Sequence, residues 1–379
     1  MPACTNWSVS DAEIRCGYES SFATPPTDGY LINAANFAAS ASRDRAVRPI
    51  LNSDAVNAKA SVGGRTAGLS LDIQMGPETL GVFLYARHGA PTTTAVGSAW
   101  TSTTALSLNA PITVTTSATL MLKVTTAGTT GSTEPDLSSG YAAGDTFTGD
   151  GTVSYLVIPK LYKHIFTPSV LCQTPMTVEG KVATGEYIRV TGAKINNMTV
   201  NPQAAATNIV ATVEFDAADA APVATSFLSG TETDLTGDTN FLEHSMATYS
   251  GSQTMSVISW SVSEERPLSY RQTLNGSPNA SHSFEGKYNP NGNVSLFGEA
   301  TNTFAILTAA REQTEEDMTL SILNSYLQGI KYIFPTLTFG ENLPEINPDT
   351  IEPEITMDWI AHQSYTVELY NGQSAYPIV

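Results

Sequence analysis

Positive charge almost disappears from the second half of this chain. Of 379 residues, 18 are Lys or Arg and 36 are Asp or Glu. The first 200 residues are nearly balanced, with 13 cations against 14 acids. After residue 200 there are 22 acids and only five cations: Arg266, Arg271, Lys287, Arg311 and Lys331. A surface of that sign does not hold nucleic-acid phosphates by counterion release. Two explanations stay open: solubility, or a surface that repels a polyanion.

Cysteine is also sparse. Cys4, Cys16 and Cys172 make an odd count with no metal-ligand spacing. A Cys4–Cys16 bridge and three free thiols in a reducing compartment both fit. No basic stretch followed by an apolar core opens the chain, so no signal peptide is expected. No apolar run approaches ~20 residues, so no membrane-spanning helix is expected. The segment from His88 to Leu122 is almost free of charge, but it is too rich in Thr and Ser for lipid.

Catalytic motifs are missing as well. There is no Gly-x-Ser-x-Gly elbow, no phosphate loop ending in Gly-Lys, no His-Glu-x-x-His and no Cys-x-x-Cys. The five histidines are scattered at 88, 164, 244, 282 and 362. His88 is expected to be a charge at a helix C-terminus. Glu264-Glu265 and Glu315-Glu316-Asp317 read as solvated turns. Asp234, Asp238 and Asn240 have the chemistry of a weak calcium loop, although a plain surface loop explains them too. The expectation is a protein without enzymatic activity, cofactor or metal.

Ser, Thr, Gly, Ala and Asn are abundant and long helical patterns are scarce, so the fold class is mainly β. One passage is written twice. Met176-Thr177-Val178-Glu179 opens the first copy and Met318-Thr319-Leu320-Ser321 the second. Tyr187-Ile188-Arg189-Val190 then matches Lys331-Tyr332-Ile333-Phe334. The alternating set Ala211, Val213, Phe215 matches Ile355, Met357, Trp359. The offset stays between 142 and 144, which predicts two tandem β-units. The first is expected over 1–91 and 159–222, and the second over 223–379. Phe215, Trp260 and Trp359 are expected in the cores.

Each unit is expected to run strand, long arm, strand, short helix, then strands. The first arm spans 41–66 between strands at 30–40 and 67–75. Gly76-Pro77 then starts a helix with Leu80, Phe83 and Leu84 on one face. The second arm spans 266–281 between strands at 255–265 and 282–288, with a helix around 299–311. The arms carry Arg43, Arg45, Arg48, Lys59, Arg65, Arg266 and Arg271. Such cations suit a solvated loop, or contact with the acidic half of a neighbouring copy. Residues 92–158 have no counterpart in the second copy. They read as a small inserted β-module, because an unstructured loop of that length is unusual.

Gly17-Tyr18-Glu19-Ser20-Ser21-Phe22-Ala23-Thr24-Pro25, then Tyr187-Ile188-Arg189-Val190-Thr191-Gly192-Ala193-Lys194-Ile195-Asn196-Asn197-Met198 and Ala211-Thr212-Val213-Glu214-Phe215 carry a family resemblance. They resemble the tail tube proteins of long-tailed bacteriophages, in a form with two units per chain. The insertion resembles a short Thr-Gly-Ser-Glu-Pro module of phage structural proteins. The resemblance implies β-sandwich units flanked by a helix, rings stacked into a tube, and a lumen that conducts DNA without binding it specifically. It also implies tape measure, tail terminator and distal tail proteins as partners, with the chain itself as the main one. Two units per chain imply trimeric, pseudo-hexameric rings, with a hexamer of chains as the alternative. Glu214, Glu285 and Asp358 are candidates for a negative lumen wall. The location implied is the phage tail in the virion, and the host cytoplasm during assembly. A second function class stays open: a cell-surface or carbohydrate-binding β-protein that works through the insertion.

Overall fold

Strands make up 57% of the computed structural model, and two helices complete it among the described residues. Those residues are 13–46, 61–138, 140–168, 172–183, 185–202, 209–237, 245–250, 253–254, 257–271, 279–297, 302–340 and 354–377. The N-terminal strands are β1 (Ile14–Tyr18), β2 (Gly29–Ile32), β3 (Ala34–Ala46) and β4 (Ser61–Gln74). β3 and β4 form one long antiparallel ribbon, paired from Ala34↔Ile73 to Ala46↔Ser61. The segment expected as an arm over 41–66 is therefore strand at both ends.

Helix α1 (Pro77–His88) follows, with Pro at its first position and Gly89 closing it at φ 82°. It shows no amphipathic stripe. Leu80, Val82, Phe83, Leu84, Ala86, Arg87 and His88 are all buried, so the helix is enclosed on every side. The expectation of one apolar face was too narrow.

The insertion contributes β5 (Thr92–Ala95), β6 (Ser98–Ala99), β7 (Ala105–Leu106), β8 (Pro111–Thr113), β9 (Leu120–Thr126), β10 (Gly128–Thr129), β11 (Thr146–Asp150) and β12 (Val153–Pro159), and β13 (Tyr162–Phe166) follows it. Strands β11, β12, β9, β8 and β6 form a five-stranded sheet over their own core of Ile112, Val114, Leu122, Val124, Leu137, Val153, Tyr155 and Val157. Its base is the β5–β13 pair, Ala95↔Tyr162 to Thr92↔Ile165.

Next come β14 (Met176–Ala183), β15 (Glu186–Val200), β16 (Val210–Ala217), β17 (Asp219–Val223) and β18 (Glu232–Asp234). β18 pairs in parallel with β2, and Leu235 joins the core. Residues 223–237 thus belong with the N-terminal strands, contrary to a boundary at 222. The C-terminal strands are β19 (Ser245–Ser250), β20 (Gln253–Thr254), β21 (Val257–Glu265), β22 (Leu268–Arg271), β23 (His282–Glu285) and β24 (Asn289–Phe297). Helix α2 (Asn302–Glu312) then leads to β25 (Glu316–Leu323), β26 (Gly329–Phe339), β27 (Glu354–Ala361) and β28 (Thr366–Asn371). The expected strand at 282–288 is split, and β24 is an additional strand before the helix.

Pairing follows one order twice. β3-β4-β16-β15-β14-β1 is joined by antiparallel ladders. So is β21-β24-β27-β26-β25-β19. β17 lies on the first half of β15, as β28 lies on the first half of β26. Val213 sits opposite Leu71 in one set, and Met357 opposite Val294 in the other. Phe215 is opposite Ile195, and Trp359 opposite Phe339. Phe215, Trp260 and Trp359 are buried, as expected of core aromatics. Truncating any one of them to Ala costs about 3–5 kcal/mol.

The two sets share edges. The second half of β15 pairs with β16 on one side and β21 on the other, Asn197↔Glu265 to Val200↔Val262. β13 pairs with β28, Tyr162↔Asn371 to Phe166↔Val367. One continuous core therefore holds Leu71, Val213 and Phe83 together with Trp260, Met357 and Trp359.

Candidate functional site

Strands β3, β4, β16, β15, β21, β24, β27 and β26 run side by side across both sets. One side of this sheet is core. Period-2 alternation puts polar residues on the other. β4 contributes Ser70 and Asp72, and β16 contributes Thr212 and Glu214. β15 contributes Asn197 and Thr199, β21 Ser261, Ser263 and Glu265, β24 Asn291, Asn293 and Ser295, and β27 Thr356 and Asp358.

Cross-strand hydrogen bonds tie this face together. Thr212 Oγ1 donates to Asp72 Oδ1 at 2.8 Å. Ser263 Oγ donates to Asn197 Oδ1 at 2.9 Å. Ser295 and Thr356 hydroxyls meet at 2.7 Å. Glu214, Glu265 and Asp358 are exposed. Lys194, opposite Asp216, shares this side of β15, but it is buried and paired with Glu285. The face is therefore hydroxyl- and amide-lined, and its exposed charges among the described residues of these strands are acids.

At one end a hairpin from the C-terminal set covers the N-terminal set. β22 and β23 pair with each other, Leu268↔Glu285 to Arg271↔His282. Tyr270 Oη donates to the Gly192 and Asp216 carbonyls at 3.0 and 2.7 Å. Asn279 Nδ2 donates to Asp219 Oδ2 at 3.1 Å. Gly192 sits at φ +61°, and the Phe22 ring packs against it, so a side chain there would meet both strain and atoms. Burial pushes the Asp216 carboxyl above its ordinary range, Glu214 adds to that, and Asn196 opposes it.

Beneath the joint lies a buried charge cluster. Glu264 Oε2 forms an ion pair with Arg87, 2.9 Å from its Nε, and faces His88 Nε2 at 3.1 Å, with all three side chains fully buried. Arg87 also donates to the Ile195 carbonyl at 3.2 Å and to the Glu264 carbonyl. Tyr288 Oη donates to the Arg87 carbonyl at 2.8 Å, and its ring lies under the Arg87 and Arg266 guanidinium groups. Glu285 bridges Lys194 at 2.6 Å and Arg266 at 2.7 Å. Burial pushes Glu264 up, but His88 and Arg87 outweigh it and hold the carboxyl below its usual value. Burial lowers His88 below the ordinary imidazole value, only partly opposed by Glu264.

This arrangement corrects several sequence expectations. Glu264 is not a solvated turn residue but an inward-facing strand residue, in phase with Trp260 and Val262. His88 does end a helix, yet as a buried partner of that carboxylate. Glu285 is almost fully buried between Lys194 and Arg266, so it lines no open face. Arg266 is buried and held by Glu285 and the Gly286 carbonyl within its own chain. Arg65 bridges Asp219 at 2.6 Å within its own set. Arg271 lies 5.1 Å over the exposed Phe284 ring, and Arg43 is exposed on β3. Arg48, Lys59, Cys4, Asp238 and Asn240 lie outside the described residues, as does the Arg45 side chain.

Asp234 accepts from Thr236 N and Oγ1 in a turn, and no metal-ligating group forms among the described residues. Cys16 is a free, buried thiol, pushed up to about 12 by burial, and Cys172 is free and exposed. Sequence reading missed the parts that Asp72, Glu265 and Lys194 play here. The alternation Ser70–Asp72 in phase with Gly68 held the signal for the first.

Comparison with protein-family models finds no match, and comparison with curated protein sequences finds none either.

Proposed function

We propose that the chain is a self-assembling structural protein of the phage tail tube type. In this reading the two strand sets are tandem β-sandwich units, each with a helix and an arm, and the 92–158 module decorates them. The observation that carries it is the continuous sheet face whose exposed charges, among the described residues of its strands, are acids. A passage for DNA needs a wall that attracts no phosphate, since each bound cation adds affinity through counterion release. Glu214 and Asp358 belong to that wall, with Asp72 and Glu265. The module springs from β5 and β13; β5 pairs with β13, and β13 pairs with β28 on its other side, away from the strands that carry the acids. That supports a place on the outer side, where it does not obstruct the passage.

Three chains would then present six similar units around one axis, with rings stacking axially. Tape measure, terminator and distal tail proteins are the further partners this reading implies, in the virion. Negative-stain microscopy of the purified chain, with ring mass measured in parallel, is the test. Rings of three chains support the proposal. Rings of six chains correct the stoichiometry. A chain that stays monomeric at all concentrations refutes self-assembly.

A further inference from the structure

Beside the buried charge cluster lies a cavity of about 470 Å³, a size within the ~300–1,000 Å³ that small-molecule sites occupy. Three short segments enclose it: Pro168 just after β13, the link from β23 to β24 over 285–290, and the turn from β27 to β28 over 361–365. Its apolar lining is Pro168, Pro290, Ala361 and the rings of Tyr288 and Tyr365, whose centroids are 6.5 Å apart. Arg266 and Glu285 lie within it, and Lys287, Gln363 and Ser364 are exposed at its edge.

The lining is held in place by its own contacts. The Arg266 and Arg87 guanidinium groups lie 4.6 and 5.1 Å from the Tyr288 ring centroid. Arg266 also donates to Tyr288 Oη at 3.2 Å and to the Gly286 carbonyl at 3.1 Å. Tyr365 is only 2% exposed. A site already ordered spends little free energy on ordering when a ligand enters.

Charge here runs against the rest of the second half. Glu285 is the one carboxylate among the described lining residues, and it already has three partners. Lys194 and Arg266 pair with it, and the Gln173 N–H reaches Oε1 and Oε2 at 3.0 and 3.1 Å. Glu264, behind Tyr288, is matched by Arg87. Lys287 is exposed and forms no ion pair among the described residues. Arg87, Lys194, Arg266 and Lys287 together outnumber Glu264 and Glu285. Asp216, across the ladder from Lys194, still leaves the balance positive. In a chain of net charge −18, this is a local site for an anion. A cation beside a low-dielectric wall attracts more strongly than one surrounded by water.

We infer that this cavity binds a small monocarboxylate with a flat apolar body, an aryl acetate in chemical class. The carboxylate pairs with Lys287 at the mouth, with the Gln363 amide and Ser364 hydroxyl beside it. The body lies against the prolines and tyrosines. A hydrated dianion such as phosphate has no use for those walls, and a neutral ligand has none for the unpaired ammonium. The inference is independent of the self-assembly reading.

Titration of the full chain with 4-fluorophenylacetate, read by fluorine NMR line broadening, tests it. Wild type is expected to bind the acid, and to bind 4-fluorophenylacetamide, its uncharged analogue, about tenfold more weakly. Lys287→Ala is expected to weaken the acid about fivefold and to leave the amide unchanged, while Lys287→Arg keeps the wild-type preference. Ser364→Trp fills the mouth and is expected to abolish binding of both. These side chains are exposed, so each variant should keep the wild-type unfolding temperature. No broadening by wild type at about 10 mM ligand, a concentration that detects a Kd of about 1 mM, overturns the site. Equal binding of acid and amide overturns the charge recognition. Acid binding unchanged in both Lys287→Ala and Ser364→Trp places the ligand elsewhere and overturns the inference.

Discussion

Replacing Glu264 by Gln leaves the Arg87 guanidinium inside the protein without its counter-charge. Two carbonyls, of Ile195 and residue 264, still accept from it, but neither carries a full charge. Breaking a buried pair by removing one partner costs about 3–5 kcal/mol. Unfolding entropy is about 2.1 cal/mol/K per residue, which for 379 residues is about 0.8 kcal/mol/K for unfolding as one unit. The expected fall in Tm is then about 4–6 °C. Replacing both partners, as Arg87→Met/Glu264→Leu, removes the stranded charge and should recover most of the loss. Scanning calorimetry on wild type, both single variants and the double variant reads this directly. A loss below about 1 kcal/mol for Glu264→Gln would refute the reasoning. So would a double variant less stable than either single one, because the cluster would then be acting through packing.

Acid should weaken the protein through His88. Its folded-state pKa is depressed, so its contribution is complete above the unfolded value of about 6.5 and is lost as pH falls through and below it. Tm measured from pH 8 to 5 should drop in wild type, and the drop should flatten in His88→Gln. Glu214→Lys/Asp358→Lys should make assembled particles bind DNA in a salt-sensitive way. A gel-shift comparison at low and high salt checks this, and unchanged binding would place the acidic face elsewhere than the passage. Joining Val96 to Leu161 by a short turn, which removes the module but keeps the β5–β13 pair, should leave assembly intact in electron micrographs. Gly81→Ala should cost about 1–3 kcal/mol by overpacking, since a Cβ there would overlap the Tyr376 hydroxyl. Thermal unfolding reads the cost, and a stability equal to wild type would show that the C-terminal segment does not press on α1.

Much of the strand framework was legible because period-2 patterns are local. Met176, Val178, Val213 and Met357 lie on the strands that their alternation predicts. The capping residues around α1 also gave its start and end. What sequence did not show was non-local. Glu264 is polar and adjacent to Glu265, so its inward phase was overruled by its charge, although a buried acid is stable once Arg87 and His88 arrive from α1. Glu285 looked like a face residue until Lys194 and Arg266 closed on it. Asp72 and Glu265 became part of one surface only through the ladders that join β4 to β16 and β15 to β21. The enclosure of α1 was hidden for the same reason. One of its covers is β28, from the other end of the chain.

That cover has a temporal consequence. Asn371 Nδ2 donates to the Pro77 carbonyl across 294 residues of sequence, and Tyr376 packs against Gly81. During synthesis at about 5–20 residues per second, α1 waits about 15–60 s for the segment that covers it. Over that interval Leu80, Phe83 and Leu84 have no complete shelter. The nascent chain is then a substrate for holdase chaperones, and a ribosome stalled before residue 371 releases a product whose central helix is open to proteases.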